Sequence, residues 1–182
     1  RYNVDVRTNS EVISINTAKK YVEVINTREN RRYTETYDRL ILSPGAKPVK
    51  PELPGIDSRR IFTLRNIPDT VRIKEFAEKN NVSRAVIVGA GFIGMEIAEN
   101  LHQKGIRVTI VELADHVLGP LDFEMAAIVH HHLKKKKVEL YLNDSVTGFY
   151  EENSGITVEL SSRRKIKADM VVMGIGVRPD TK

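Results

Sequence analysis

Over the first 42 residues, apolar and polar side chains alternate in short bursts: Val4 and Val6, then Val12, Ile13 and Ile15, then Tyr21, Val22, Val24 and Ile25, then Tyr33 and Tyr37. A period of two, broken by polar turns, predicts short strands rather than a helix. Asp38 leads into Leu40, Ile41 and Leu42, an apolar run that predicts a buried strand ending at the turn Ser43-Pro44-Gly45. Prolines at 48, 51 and 54 then make residues 47–54 a stiff, extended connector and mark a domain boundary.

The pattern changes beyond the connector. Residues 61–64 predict a short strand. Residues 67–79 carry apolar side chains at 67, 71, 73 and 76 with Pro68 in the first turn, which predicts a helix. A strand over 84–88, a helix over 91–104 stopped by Gly105 and a strand over 107–112 form a unit that closes a right-handed parallel pair. A helix over 121–136 runs into a strand over 138–142. Strands follow near 146–151, 156–160 and 168–173, and Asn153-Ser154-Gly155 suits a hairpin turn. Strands alternating with helices define an α/β fold, here a three-layer nucleotide-binding domain with an antiparallel β appendage.

Candidate chemistry sits at one junction of this pattern. Gly89, Gly91 and Gly94 form G-x-G-x-x-G between a β-branched strand and an amphipathic helix, which is the context a dinucleotide requires. The first glycine allows the tight turn, the second lets the backbone approach a pyrophosphate, and the third lets the helix pack on the strand. The helix would aim its unpaired N–H groups and positive dipole end at the phosphates. Glu112 ends the following strand, near the roughly 20-residue spacing at which an acidic group accepts from the adenosine ribose hydroxyls. A 2′-phosphate would meet this carboxylate instead, so NADH is expected over NADPH. The following loop has no arginine to clamp a 2′-phosphate, although His116 partly substitutes.

Composition narrows the picture further. The formal charge of +5 invites a nucleic-acid reading, but basic residues are spread along the chain. Their only dense run, residues 134–137, falls where a helix ends and complements its dipole, so no nucleic-acid partner is expected. No apolar run reaches the roughly 20 residues of a membrane span, and a cytoplasmic setting is the expectation. His130, His131 and His132 are consecutive, so on a helix they cannot converge on one ion, and no metal is expected. The absence of cysteine excludes thiol redox chemistry and disulfides within this stretch.

Three motifs in order, YDRLILSPGAKP, GAGFIGMEIAE and MGIGVRPD, resemble those of the FAD-dependent pyridine nucleotide-disulfide oxidoreductases. Within that family the likeness is to the branch of coenzyme A-disulfide reductase, NADH oxidase and NADH peroxidase, and it covers nearly the whole chain. The resemblance implies an NADH domain inserted into an FAD domain: residues 1–48 a partial FAD segment, 49–173 the NADH domain and 174–182 the start of the return. It implies that Phe92 and Ile93 line the passage to the flavin, that Glu96 lies near the flavin, and that Gly174 and Gly176 lie against NADH. Val12, Ser43, Pro44 and Gly45 would lie beside FAD.

By the same resemblance, the FAD fingerprint and redox cysteine lie upstream of residue 1, while a dimerisation domain lies beyond residue 182. The chain is thus expected to be a fragment, inactive alone, of a homodimeric parent. That parent would pass a hydride from NADH to FAD and on to a disulfide, peroxide or oxygen acceptor. The alternatives are a ferredoxin, rubredoxin or nitrite reductase component, or a noncatalytic NADH-binding regulatory module.

Overall fold

A computed structural model describes residues 4–152 and 154–181. The chain divides into two units, Arg1–Ser43 and Pro44–Lys182. The first is a three-stranded antiparallel meander of β1 (Ser10–Asn16), β2 (Tyr21–Asn26) and β3 (Arg31–Thr36). Its two turns are built alike. Asn16 Oδ1 accepts from the Lys19 amide and Asn26 Oδ1 from the amides of Arg28 and Glu29, while Lys20 and Asn30 close the turns at positive φ. Val22 and Val24 of the central strand are buried.

The apolar run that follows departs from expectation. Residues 40–45 form no strand, and Ile41 is 88% exposed. A strand needs a hydrogen-bonding neighbour and an apolar run needs a core, and nothing among the described residues supplies either to Leu40, Ile41 and Leu42.

The second unit contains β4 (Ala46–Pro48), β5 (Ile61–Thr63), α1 (Ile67–Lys79), β6 (Arg84–Val88), α2 (Phe92–Gln103), β7 (Arg107–Val111), α3 (Phe123–Lys135), β8 (Glu139–Tyr141), β9 (Val146–Glu152), β10 (Gly155–Leu160), β11 (Lys165–Ala168), β12 (Met170–Met173) and β13 (Val177–Pro179). Its central sheet is parallel, in the order β5-β12-β6-β7-β8. Alternation along β6 explains the layering. Ala85 and Ile87 point to a core shared with Ile73 and Ala77 of α1, Ile97, Ala98 and Leu101 of α2, and Leu133 of α3. Val86 and Val88 point to the opposite core, shared with Phe149, Ile156 and Val158 of β9 and β10. The antiparallel sheet β11-β10-β9 is thus the third layer, covering the face of the parallel sheet that the helices leave open.

Several local details differ from the sequence pattern. In α1 the inward face is Ile73, Phe76 and Ala77, whereas Ile67 is 79% exposed. The expected strand over 168–173 is two strands, β11 and β12. They bend at Asp169, which accepts from the Ser83 amide and hydroxyl and from the Arg84 amide. β9 and β10 pair as a hairpin, and Asn153 of its expected turn lies outside the described residues.

Residues 47–54 are packed rather than free. β4 pairs antiparallel with β13, Val49 N donates to Gly176 O at 2.9 Å, and Phe149 N donates to Pro54 O at 2.8 Å. Asp180 fastens the same corner through Lys47 at 2.8 Å and Arg65 at 3.7 Å. The Lys47 hydrogen bond holds its carboxyl below the usual range.

Candidate functional site

The carboxyl ends of β6, β7 and β12 open into one cleft of about 620 Å³. In an open parallel sheet, the position where connections diverge to either side is where ligands bind, and β6 is that strand. Three glycines bring the strand ends together. A Cβ on Gly89, at φ +97°, would lie 2.5 Å from Gly174 O, and one on Gly94 would lie 2.0 Å from Gly89 O. Gly174 approaches the Cα of Gly94 less closely but still tightly, since its own Cβ would sit 3.3 Å away. These contacts set the start of α2 directly against the ends of β6 and β12.

Gly91 is different. It is the N-cap of α2, has ordinary negative φ, and a Cβ there would meet nothing within 4 Å. It lines the cleft, and α2 has neither a side-chain cap nor an acid in its first turn. The opening amides of a helix have no intrahelical acceptor, so here they are available to an anion.

The facing wall comes from the end of β7. Glu112 lines the cleft with its carboxylate engaged on both oxygens: Oε2 accepts from the Ala90 amide at 2.6 Å and Oε1 from the Ala114 amide at 2.9 Å. A carboxylate offers about four lone-pair positions, so two remain for further donors. The wall continues through Leu113, Ala114, His116 and Gly119, and closes on Asp144, Ser145 and Val146.

Sequence reasoning missed Asp144. It is 6% exposed and accepts from the Ser145 and Ser162 amides and the Ser161 and Ser162 hydroxyls. Its own amide donates to Glu112 O at 3.1 Å, so it joins the antiparallel layer to the strand end carrying Glu112. Burial alone would raise its pKa, but the hydrogen bonds from Ser162 and Ser161 outweigh that and hold it low. The available signal was only a loop aspartate paired with a distant Ser-Ser turn.

The expected residues distribute unevenly. Gly89, Gly91, Glu112, Gly174 and Gly176 line the cleft, and Gly94 lies buried beneath it. Phe92 and Ile93, 63% and 41% exposed, stand on the first turn of α2 outside the lining. Glu96 is exposed on the groove between α2 and α3. Val12 is exposed on β1, and Ser43, Pro44 and Gly45 are exposed at the junction of the two units. None of these four is among the residues lining the cleft. No group of three or more histidine, aspartate or glutamate side chains among the described residues is placed to hold a metal. No helix there is long and apolar enough to cross a membrane.

A glycine-rich strand end, a bare helix start and an acidic residue at the end of the neighbouring strand define a dinucleotide-binding α/β domain. The chain belongs to the pyridine nucleotide-disulphide oxidoreductase family, whose model matches residues 1–182. It is 34% identical over its whole length to a coenzyme A disulfide reductase of Staphylococcus aureus, spanning 40% of that relative. Among solved structures it resembles reduced Bacillus anthracis CoADR-RHD, with 47% identity and a TM-score of 0.88 over 98% of this chain and 32% of that one. It also resembles an FAD-dependent pyridine nucleotide-disulphide oxidoreductase from Desulfovibrio vulgaris, with 31% identity and a TM-score of 0.73 over 96% of this chain and 44% of that one.

Proposed function

We propose that this chain is the NADH-binding portion of a flavin-dependent oxidoreductase, and that NADH lies in the cleft between Gly91 and Glu112. The observation that carries this reading is the uncapped start of α2, opening through Gly91 onto a cleft whose other wall holds the Glu112 carboxylate. The residues present fit the coenzyme. The α2 amides would hold the pyrophosphate, and the missing Cβ at Gly91 would let it approach the backbone. The two free lone-pair positions of Glu112 would accept from the adenosine ribose hydroxyls. Gly174 and Gly176 would flank the coenzyme at the end of β12, with Ile175 between them on the same wall.

The bound coenzyme supplies a hydride; the chain's contribution is to fix its position and exclude a 2′-phosphate. The acceptor in the whole protein would be FAD held by segments beyond these residues, followed by a disulfide, peroxide or oxygen reached through a cysteine outside this chain. The FAD-dependent relative and the coenzyme A disulfide reductase relatives support that order.

Titrating the 182-residue chain with NADH and with NADPH, followed by coenzyme fluorescence, tests the reading. NADH is expected to bind saturably and about tenfold more tightly than NADPH, the scale of one charge repulsion at a partly solvated site. In Glu112→Ala that preference is expected to collapse. Tighter binding of NADPH by the native chain would overturn the role given to Glu112, and binding of neither would overturn the reading itself.

A further inference from the structure

The wall formed by residues 113–121 has no strand partner, yet it supplies Leu113, Ala114, His116 and Gly119 to the cleft. Its shape depends on a few ties. Leu118 N donates to Ala90 O at 2.8 Å, Leu121 N to Leu118 O at 2.8 Å, and Asn143 N to Ala114 O at 2.9 Å. Leu118 sits at φ +54°, a conformation a branched side chain keeps only when its surroundings impose it. The remaining tie reaches α3: the amide of Val117, a fully buried residue, donates to Nε2 of His130 at 3.1 Å.

That bond fixes a protonation state. A nitrogen that accepts an N–H must carry its lone pair, so His130 is neutral with its proton on Nδ1. His116, on the same wall, is biased the opposite way. Its Nδ1 lies 2.5 Å from Asp115 Oδ1 and its Nε2 lies 3.1 Å from Leu121 O. A carboxylate and a carbonyl can only accept, so this pair of contacts favours the form of the ring that carries a proton on both nitrogens.

The titratable groups of the wall that act on His130 are His116 and Asp115. On its own helix, neighbouring His131 and His132 and also Lys134, one turn on, are exposed. Burial first, and the charge of His116 second, push His130 below the ordinary histidine value, against a smaller opposing pull from Asp115. The hydrogen bond to Asp115 raises His116.

Resting on the reading of the cleft as a coenzyme site, we propose that His130 is a positioning residue for it: as a neutral acceptor it pins the buried Val117 amide, and protonation of Nε2 releases the wall and weakens coenzyme binding. The sign follows from the lowered pKa. The tie is complete above the ordinary histidine range and is lost as pH falls through the depressed value, when the Val117 amide loses its acceptor and a positive charge appears beside the proton-favouring ring of His116.

Two measurements on the 182-residue chain test this between pH 7 and pH 5: the Kd for NADH, whose pyrophosphate does not titrate there, and the exchange protection of the Val117 amide without coenzyme, corrected for intrinsic exchange. NADH affinity is expected to fall about tenfold over this range, the scale of one buried amide left unpaired. Val117 protection is expected to fall in step. His130→Gln places an amide oxygen near the Nε2 position and does not titrate, so both quantities should stay flat while matching the native chain at pH 7. NADH binding with an unchanged pH profile in His130→Gln, or Val117 protection that ignores pH in the native chain, overturns the proposal alone. NADH binding at no pH overturns both it and the coenzyme reading.

Discussion

The second unit starts three helices in two different ways. At α1, Asn66 accepts from the Asp69 amide at 3.1 Å while Asp69 accepts from the amides of Asn66 and Arg65, a reciprocal capping box. At α3, Asp122 accepts from the Met125 amide at 2.9 Å, and Glu124 adds a charge in the first turn. At α2 the cap is Gly91, and no side chain among the described residues caps the opening amides. Where a helix only has to be stable, the sequence closes its end with a carboxylate or carboxamide. Where it is proposed to serve a ligand, that end carries glycine and is left open, at a cost of only about a few tenths of a kcal/mol against a good cap.

Giving α2 the same kind of start as α3 breaks this contrast most sharply. In Gly91→Asp the backbone already has the extended cap geometry and the new Cβ meets no atom within 4 Å, so the fold has room for the change. The new carboxylate would cap the helix and place a negative charge where the pyrophosphate is proposed to sit. Thermal stability is expected to stay level or rise by a few tenths of a kcal/mol, since aspartate is a better cap than glycine. NADH affinity is expected to fall by about a hundredfold or more, because two like charges would compete for the same amides. Calorimetric melting beside a fluorescence titration separates the two effects. A variant that binds NADH normally would show that the open helix end is not the phosphate site.

How much of this was legible in the sequence depends on whether the signal was local. The β6-α2-β7 unit was readable because periodicity and glycine spacing lie within a few residues of one another. The pairing of β4 with β13 was not, because Ala46 and Pro179 are far apart in sequence and three-residue strands carry no period. β11 was hidden because Lys165-Ile166-Lys167-Ala168 alternates over only four residues and carries a single large apolar side chain, although Ile156 and Val158 opposite it are fully buried. Leu40, Ile41 and Leu42 misled for the opposite reason: a strong local pattern met no partner among the described residues. At the site, the glycines and Glu112 announced themselves by spacing. Asp144 and His130 did not, since their roles come from amides and hydroxyls contributed by distant segments.

Asp169 extends the contrast from helix ends to strand ends. At the amino ends of β12 and β6, opposite the strand ends that form the cleft, its Oδ2 gathers the Ser83 amide and hydroxyl and the Arg84 amide, while Oδ1 meets the Arg84 guanidinium at 2.8 Å. Burial alone would raise its pKa, but the Arg84 and Ser83 hydrogen bonds win and hold it at about 2, against an ordinary 3.8. A depressed carboxyl contributes stability that is complete above the ordinary value and is lost as pH falls from there through about 2. The side chain is only 14% exposed, so the difference converts to roughly 2 kcal/mol, or about 4 to 8 °C in Tm for a chain of this size. Melting curves between pH 7 and pH 2 should show that loss in the native chain and a flatter profile in Asp169→Asn. NADH affinity at pH 7, measured where the variant is folded, should be unchanged, because this carboxylate holds the end of the sheet away from the cleft.

The smallest expected effect removes a cap from a helix that serves no ligand. Asp122→Ala leaves the Met125 amide of α3 without its acceptor and takes one negative charge from the helix start, while Glu124 and the Leu133 packing remain. A loss of about 1 kcal/mol is expected, the usual worth of an aspartate cap. Its consequence for binding is the informative part. Residues 113–121 lead directly into α3, and Leu121 O is an acceptor for His116, so fraying at residue 122 would loosen the cleft wall as well as the helix. If the Val117–His130 tie holds the wall independently of the cap, NADH affinity at pH 7 should move by less than about twofold although stability drops, since distant sites without shared partners act additively. A larger loss of affinity would mean that the cap of α3 and the wall form one coupled element, and that the division between helix ends built for stability and the one left for a ligand is less sharp than their hydrogen bonds suggest.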